Sequence, residues 1–205
     1  MNAEETLLQI AEEVIACTNC KLHHSRKNAV PGEGPEHADL MFIGEGPGFH
    51  ENEQGRPFVG ASGKFLEELL GTIGLKREDV FIGNVVKCRP PGNRDPLLDE
   101  IEACTAFLER QIKAINPKVI ITLGRFSMAR YFPEAKISQI HGQPMEIQGR
   151  LIVPMFHPAA ALHQPSLRET VKEDFSKLPG LIEGGLSSSS PAELADNEPE
   201  QLNLF

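Results

Sequence analysis

Four cysteines stand at positions 17, 20, 88 and 104, a C-x2-C-x67-C-x15-C pattern. Nothing at the N-terminus resembles a secretion signal: the chain opens Met1-Asn2-Ala3-Glu4-Glu5, acidic where a signal peptide is basic, and no apolar stretch follows. A cytoplasmic address is therefore expected, and there such cysteines point to a metal site rather than a disulfide framework. Four thiolates suit tetrahedral zinc or a [4Fe-4S] cluster, and spacing alone does not choose between them. Lys21, His23 and His24 follow Cys20, a basic setting that favours thiolates.

A second group of residues has the types needed for chemistry on a ligand. Gly44-Glu45-Gly46-Pro47-Gly48 is a glycine-rich turn that lacks the Gly-Lys-Ser/Thr of a phosphate loop and the spacing of a dinucleotide fingerprint. With it come Gly55-Arg56-Pro57-Phe58-Val59-Gly60, the stretch from Asn84 through Cys88 to Arg94, and His157-Pro158-Ala159. Lys87, Arg89 and Arg94 fall close together as a local basic face suited to phosphates.

Alternating elements must hold these groups. Apolar spacing predicts a helix over Glu4 to Ala16 that delivers Cys17, and another over Ser62 to Ile73 ended by Gly74. A long helix over Leu98 to Ile115 carries Cys104 and stops at Asn116-Pro117. A further helix opens at Gly124 and runs to Tyr131, and Ser166 to Leu178 closes the domain. Strands are predicted at Asp39 to Gly44, Val80 to Val86, Lys118 to Leu123 and Leu151 to Met155, the last forming a hairpin with Met145 to Ile147. The expected fold is α/β, a three-layer αβα sandwich with a central, mainly parallel four-stranded sheet. The loaded loops follow the C-terminal ends of the first, second and fourth strands, where parallel sheets place their ligands.

The chain has 205 residues and a net charge of −9. Five of its acids lie from Glu183 onward with no base among them, leaving 20 bases against 24 acids up to Ile182. This argues against nonspecific coating of nucleic acid but leaves room for a local basic face. No apolar run approaches the ~18 residues of a membrane span. Residues 1–182 read as one domain, 183–200 as a flexible acidic linker, and 201–205 as a separate terminal peptide.

Over roughly residues 10 to 180 these motifs resemble the family 4 iron–sulfur uracil-DNA glycosylases. The resemblance implies a monofunctional enzyme that flips uracil out of single- or double-stranded DNA, hydrolyses its N-glycosidic bond and leaves an abasic site. It implies a [4Fe-4S] cluster on Cys17, Cys20, Cys88 and Cys104. On this resemblance Phe58 would stack on the base, the Asn84 amide would read uracil O4 and N3–H, and His157 would bond the charge developing at O2. Glu45, Gly46 and Pro47 would line the base, and Glu51 would lie near uracil C5. In the best-known branch of the superfamily an aspartate stands where this chain has Gly46, so Glu45, Glu51 and Asn93 are the candidates for activating water. Phe49-His50 stand where relatives often carry acids. Leu162 and His163 follow the His-Pro motif on the loop that enters the minor groove. His23, His24, His50 and His141 are read as structural.

Two other readings compete. A noncatalytic or trapping uracil-DNA binder of the same superfamily carries Gln in place of Gly46 and a basic insertion with a reactive His, and neither is present. A metal-binding interaction domain without chemistry would not need Asn84 and His157. The terminal Gln201-Leu202-Asn203-Leu204-Phe205 resembles the bacterial sliding-clamp-binding pentapeptide, through Gln201, Leu202, Leu204 and Phe205. The expected partners are uracil-containing DNA and that clamp, with no membrane, and the chain is expected to be a monomer.

Overall fold

The computed structural model describes residues 2–184. Helix α1 (Ala3–Ala16) begins with a capping box in which Asn2 and Glu5 exchange side-chain and backbone bonds. Strand β1 (Leu40–Gly44) leads through the glycine-rich turn into a short helix α2 (Phe49–Gln54), followed by α3 (Ala61–Thr72). Strand β2 (Phe81–Asn84) precedes the long α4 (Leu98–Ile115), which stops on Asn116 in the left-handed conformation. Then come β3 (Val119–Leu123), α5 (Arg125–Ala129), α6 (Ile137–Ile140), β4 (Met145–Ile147) and β5 (Arg150–Met155). Helices α7 (Pro158–His163), α8 (Leu167–Ser176) and α9 (Leu178–Gly184) complete the described residues.

The sheet order is β2-β1-β3-β5-β4, parallel except for the β4–β5 pair. It has five strands rather than the expected four. The first arm of the hairpin is itself an edge strand, because Met145 to Ile147 pair with Arg150 to Ile152 across a tight turn at Gln148-Gly149. The closing helix is also two helices, α8 and α9, parted at Lys177.

Successive side chains of a strand point to opposite faces. Leu40 and Phe42 of β1 join α3, α8 and α9 through Leu66, Leu69, Phe175 and Leu178. Met41 and Ile43 face the other way, onto α1 and α4 through Ile10, Val14, Leu108 and Ile112. Both faces of the sheet are covered, which is why β1 and β3 are continuous apolar runs. No helix among the described residues is long and apolar enough to cross a membrane.

Strand β2 stops at Asn84, two residues earlier than expected. Beyond it, Val85 N–H donates to the Gly44 carbonyl and Val86 N–H to that of Glu45. The loops leaving β1 and β2 are thereby tied side by side at the C-terminal edge of the sheet.

Candidate functional site

A cleft of about 480 Å³ opens at that edge, lined by Glu45 to Gly48, Glu51, Phe58, Ser62, Asn84, Pro90, Asn93, Arg94, His157, Ala159 and His163. Its size and mixed lining suit a small organic ligand. The loops after β1, β2 and β5 supply most of the wall, as the sequence predicts.

Phe58 forms an aromatic wall and lies near-parallel to the His157 ring, with centroids 5.5 Å apart. Its φ of 52° is left-handed, a conformation a bulky residue rarely holds unless its surroundings impose it. The restraint is visible on both sides of the loop. Glu51 Oε1 accepts from the N–H groups of Val59 (2.9 Å) and Gly60 (2.8 Å). Arg77 donates to the carbonyls of Phe58 (2.9 Å) and Pro57, and is itself paired with Glu33. Helix α3 completes the clamp: a Cβ on Gly63 would lie 1.8 Å from the Phe58 carbonyl oxygen, so only glycine lets α3 pack there.

Asn84 sits at the end of β2, 2% exposed. Its Oδ1 is buried with no hydrogen-bond partner, one of two such side-chain atoms among the described residues. An orphaned buried acceptor costs about 1–3 kcal/mol, and one lining a cleft calls for an explanation. Gly44 makes the space: a Cβ there would meet Asn84 Oδ1 at 2.5 Å and the Phe58 ring at 2.7 Å.

His157 caps α7, and its Nδ1 accepts from the Ala159 N–H at 3.1 Å. That bond places the ring proton on Nε2. Burial lowers its pKa to about 4, so the imidazole is neutral at physiological pH, a donor through Nε2–H. Glu45 is pushed above the usual carboxylate range, by burial first and by Asp95 second. Among the described hydrogen bonds none engages the Glu45 carboxyl, whereas Glu51, also in the cleft lining, commits its Oε1 to the Phe58 loop. Asn93 stands at the rim with a left-handed φ of 55°, and its Oδ1 accepts from Arg89 Nε at 2.7 Å. Gly46 has no room to be anything larger, since a Cβ would meet Val86 Cγ2 at 2.6 Å.

The four cysteines converge from α1, the turn after it, the β2–α4 loop and α4 onto one small cavity walled by Val14, Arg26, Ala103 and Phe107. All four are unpaired. Three sulfurs receive donors: Arg26 Nη1 to Cys88 at 3.2 Å, Asn19 N–H to Cys17 at 3.5 Å and Lys87 N–H to Cys104 at 3.5 Å. Burial raises the Cys20 and Cys88 thiols and takes Cys104 to about 11. No group of three His, Cys, Asp or Glu among the described residues is close enough to hold a single metal ion. Four thiols lining one cavity are the donor set that a tetrahedral zinc or a [4Fe-4S] cluster requires.

The expected phosphate face is corrected at Lys87. Its side chain is fully buried, with Nζ bonded to the Asn84 carbonyl (3.0 Å) and Gln111 Oε1 (2.7 Å). Desolvation lowers its pKa to about 8, leaving an ammonium that reaches no solvent. Position 87 follows directly on Val86, and the turn there aims its side chain at α4 rather than outward. Arg94 is committed to Glu100 by two hydrogen bonds, although it still lines the cleft. Arg89 remains a rim cation. On α7, Leu162 is 39% exposed and His163 reaches the cleft. Gln201, Leu202, Leu204 and Phe205 lie outside the described residues.

Arg77, Glu33, Ser62 and Gln111 were not singled out by the sequence. Arg77 lies 19 residues from Phe58, within an ordinary charged run, and no local signal marks it. Gln111 falls on the buried stripe of α4 and is the polar residue in it nearest the chain's C-terminal end of that helix, which is a signal that could have been read.

The Uracil DNA glycosylase superfamily matches residues 31–178. The chain is 51% identical to a type-4 uracil-DNA glycosylase of Saccharolobus solfataricus, over 82% of this chain and 83% of that protein. It is 49% identical to that of Sulfurisphaera tokodaii (85% and 84% covered) and 46% identical to that of Archaeoglobus fulgidus (85% and 92% covered).

Proposed function

The chain belongs to the uracil-DNA glycosylase superfamily, and we propose that it excises uracil from DNA by hydrolysing the C1′–N1 bond, leaving an abasic site and an intact backbone. The observation that carries this reading is the unpartnered Asn84 Oδ1. A uracil extruded into the cleft brings its N3–H to that oxygen, and the Asn84 amide donates to O4. Cytosine presents a lone pair at N3 and an amine at position 4, so both contacts fail. Burial makes the mismatch costly. A base must leave the stack to reach such a pocket, and the Phe58 ring then holds it by stacking.

As the C1′–N1 bond breaks, its electron pair passes to the uracil ring and charge gathers at O2. The Nε2–H of neutral His157 donates to that oxygen, a fixed donor that needs no reorganisation at the moment of reaction. Water adds its oxygen to the oxocarbenium-like C1′ and gives up a proton. Glu45 takes it: its carboxyl lines the cleft, is not otherwise bonded among the described contacts, and has its basicity raised by burial. Glu51 holds the loop that carries Phe58 through its Oε1, and Asn93 lines the cleft beside Arg94.

Cys17, Cys20, Cys88 and Cys104 would hold a [4Fe-4S] cluster. When bound it ties α1, α4 and the loop after β2 together; the thiols give up their protons as it binds. The cytoplasm, where thiols stay reduced, suits this site, and one chain supplies every cleft residue, so a monomer suffices. The terminal Gln201–Phe205 is proposed to bind a bacterial sliding clamp; deleting it should abolish clamp binding and leave excision from short oligonucleotides unchanged.

The test of the activity is incubation with a uracil-containing oligonucleotide followed by alkali. Strand scission at uracil is expected for the wild type and lost in Asn84→Ala. An uncleaved oligonucleotide with iron-replete wild-type protein would refute the reading.

A further inference from the structure

Phe49 is 52% exposed, the aromatic member of the exposed large apolar side chains among the described residues. Aromatic side chains are enriched at binding surfaces relative to the rest of a protein's exterior. It opens α2 immediately after Gly48, a cleft residue, so it stands on the rim. The ring is held there. The Arg89 guanidinium lies 5.3 Å from its centroid, and the His50 ring meets it edge-on at 5.4 Å. Arg89 is fixed in turn by its 2.7 Å bond to Asn93 on the opposite rim. The platform therefore spans from the loop after β1 to the loop after β2.

Arg89 adds a charge argument. Its neighbours are neutralised: Arg94 pairs with Glu100 and Arg125 with Asp95. Arg89 has no carboxylate partner among the described ion pairs and points its charge over the aromatic ring at the cleft mouth. A free cation beside an exposed ring matches one ligand chemistry, a nucleotide: a flat base for the ring and a phosphate for the guanidinium. The surface is continuous with the cleft that takes the uracil. The nucleotide in reach is thus a neighbour of the flipped one on the same strand.

We propose that Phe49, backed by Arg89, is a stacking platform for the unpaired base of the nucleotide adjacent to the flipped deoxyuridine, and so favours uracil in single-stranded DNA. This rests on the uracil-excision reading and adds a subsite to it. In duplex DNA the adjacent base stays paired and stacked in the helix, so the platform contributes less. Any base has a flat face, so the preference is for strandedness and not for sequence.

The test uses Phe49→Ala and Phe49→Trp in the full chain with cluster intact. Their exposed position keeps folding out of the comparison, and iron content and circular dichroism verify it. Single-turnover excision is measured against enzyme concentration on one uracil oligonucleotide, single-stranded and annealed. A second readout places 2-aminopurine on either side of the uracil and follows its fluorescence on binding. Stacking of one base supports a half-saturating concentration about tenfold lower. The expected result for Phe49→Ala is therefore a rise of about that size on single strands, a smaller one on duplex, and the loss carried by half-saturation rather than maximal rate. Phe49→Trp should restore tight binding. Wild type and Phe49→Trp should quench 2-aminopurine at one flanking position, and Phe49→Ala should not. Unchanged half-saturation in Phe49→Ala, an equal loss on both substrates, or a quench that persists without the ring would each overturn the platform. A ring-dependent quench in a wild-type protein that excises no uracil would instead refute the glycosylase reading, so the two failures are distinct.

Discussion

Lowering the pH tests the His157 assignment directly. The Ala159 N–H bond to Nδ1 fixes the Nε2–H tautomer, and burial takes the pKa to about 4 against an ordinary value near 6.5. The folded protein thus binds this proton less readily than the unfolded chain. Its contribution to stability is complete above about pH 6.5 and is lost as pH falls through about 4. A depression of this size corresponds to at most about 3 kcal/mol at full expression. Urea unfolding of wild type and His157→Asn between pH 7 and 4.5 reads it: wild type should lose stability across this window and the variant should lose much less. The single-turnover rate of wild type should show no histidine limb near pH 6.5; its acid limb belongs to Glu45, which must be deprotonated to take the proton of water and whose carboxyl burial raises above the usual range. His157→Ala should lose about 10²–10³ in rate at pH 7, as expected for removing one fixed donor. A His157 ring signal titrating near 6.5 in ¹⁵N-resolved spectra, assigned by its loss in His157→Asn, or an Nδ1–H tautomer of that ring, would refute the argument.

Other consequences are as direct. Lys87→Met strips the Asn84 carbonyl and Gln111 Oε1 of a buried donor, so urea unfolding should show a loss of about 1–3 kcal/mol; unchanged stability with a shallower salt dependence of DNA binding would return Lys87 to a phosphate role. Gly44→Ala drives a methyl into Asn84 Oδ1 and the Phe58 ring, and should cost about 1–3 kcal/mol of packing together with uracil excision; full single-turnover activity would show that the cleft does not hold the base where we place it. Cys104→Ser should lower the iron-to-protein ratio and the melting temperature together, and iron retained at the wild-type ratio would remove Cys104 from the ligand set.

The sequence by itself determined the elements with strong local signals. Apolar runs such as Val119 to Leu123 mark strands buried on both faces, and the polar break at Asn116-Pro117 ends α4 at the residue expected. The motif residues Phe58, Asn84 and His157 were legible through the family resemblance of the motifs that carry them, and the cleft collects them. Tertiary structure decided what depends on neighbours distant along the chain. A lysine in a polar stretch reads as surface until the turn after β2 buries Lys87 against Gln111, 24 residues away. The strain at Phe58 is set by Arg77 and Gly63 from separate elements, and no local pattern encodes their meeting. Glu51 reads in sequence as a candidate for activating water, and only the fold shows that its Oε1 also holds two backbone amides of the Phe58 loop. The histidine tautomer, the edge position of β4 and the empty acceptor on Asn84 follow from packing geometry, which a one-dimensional pattern of residue types does not carry.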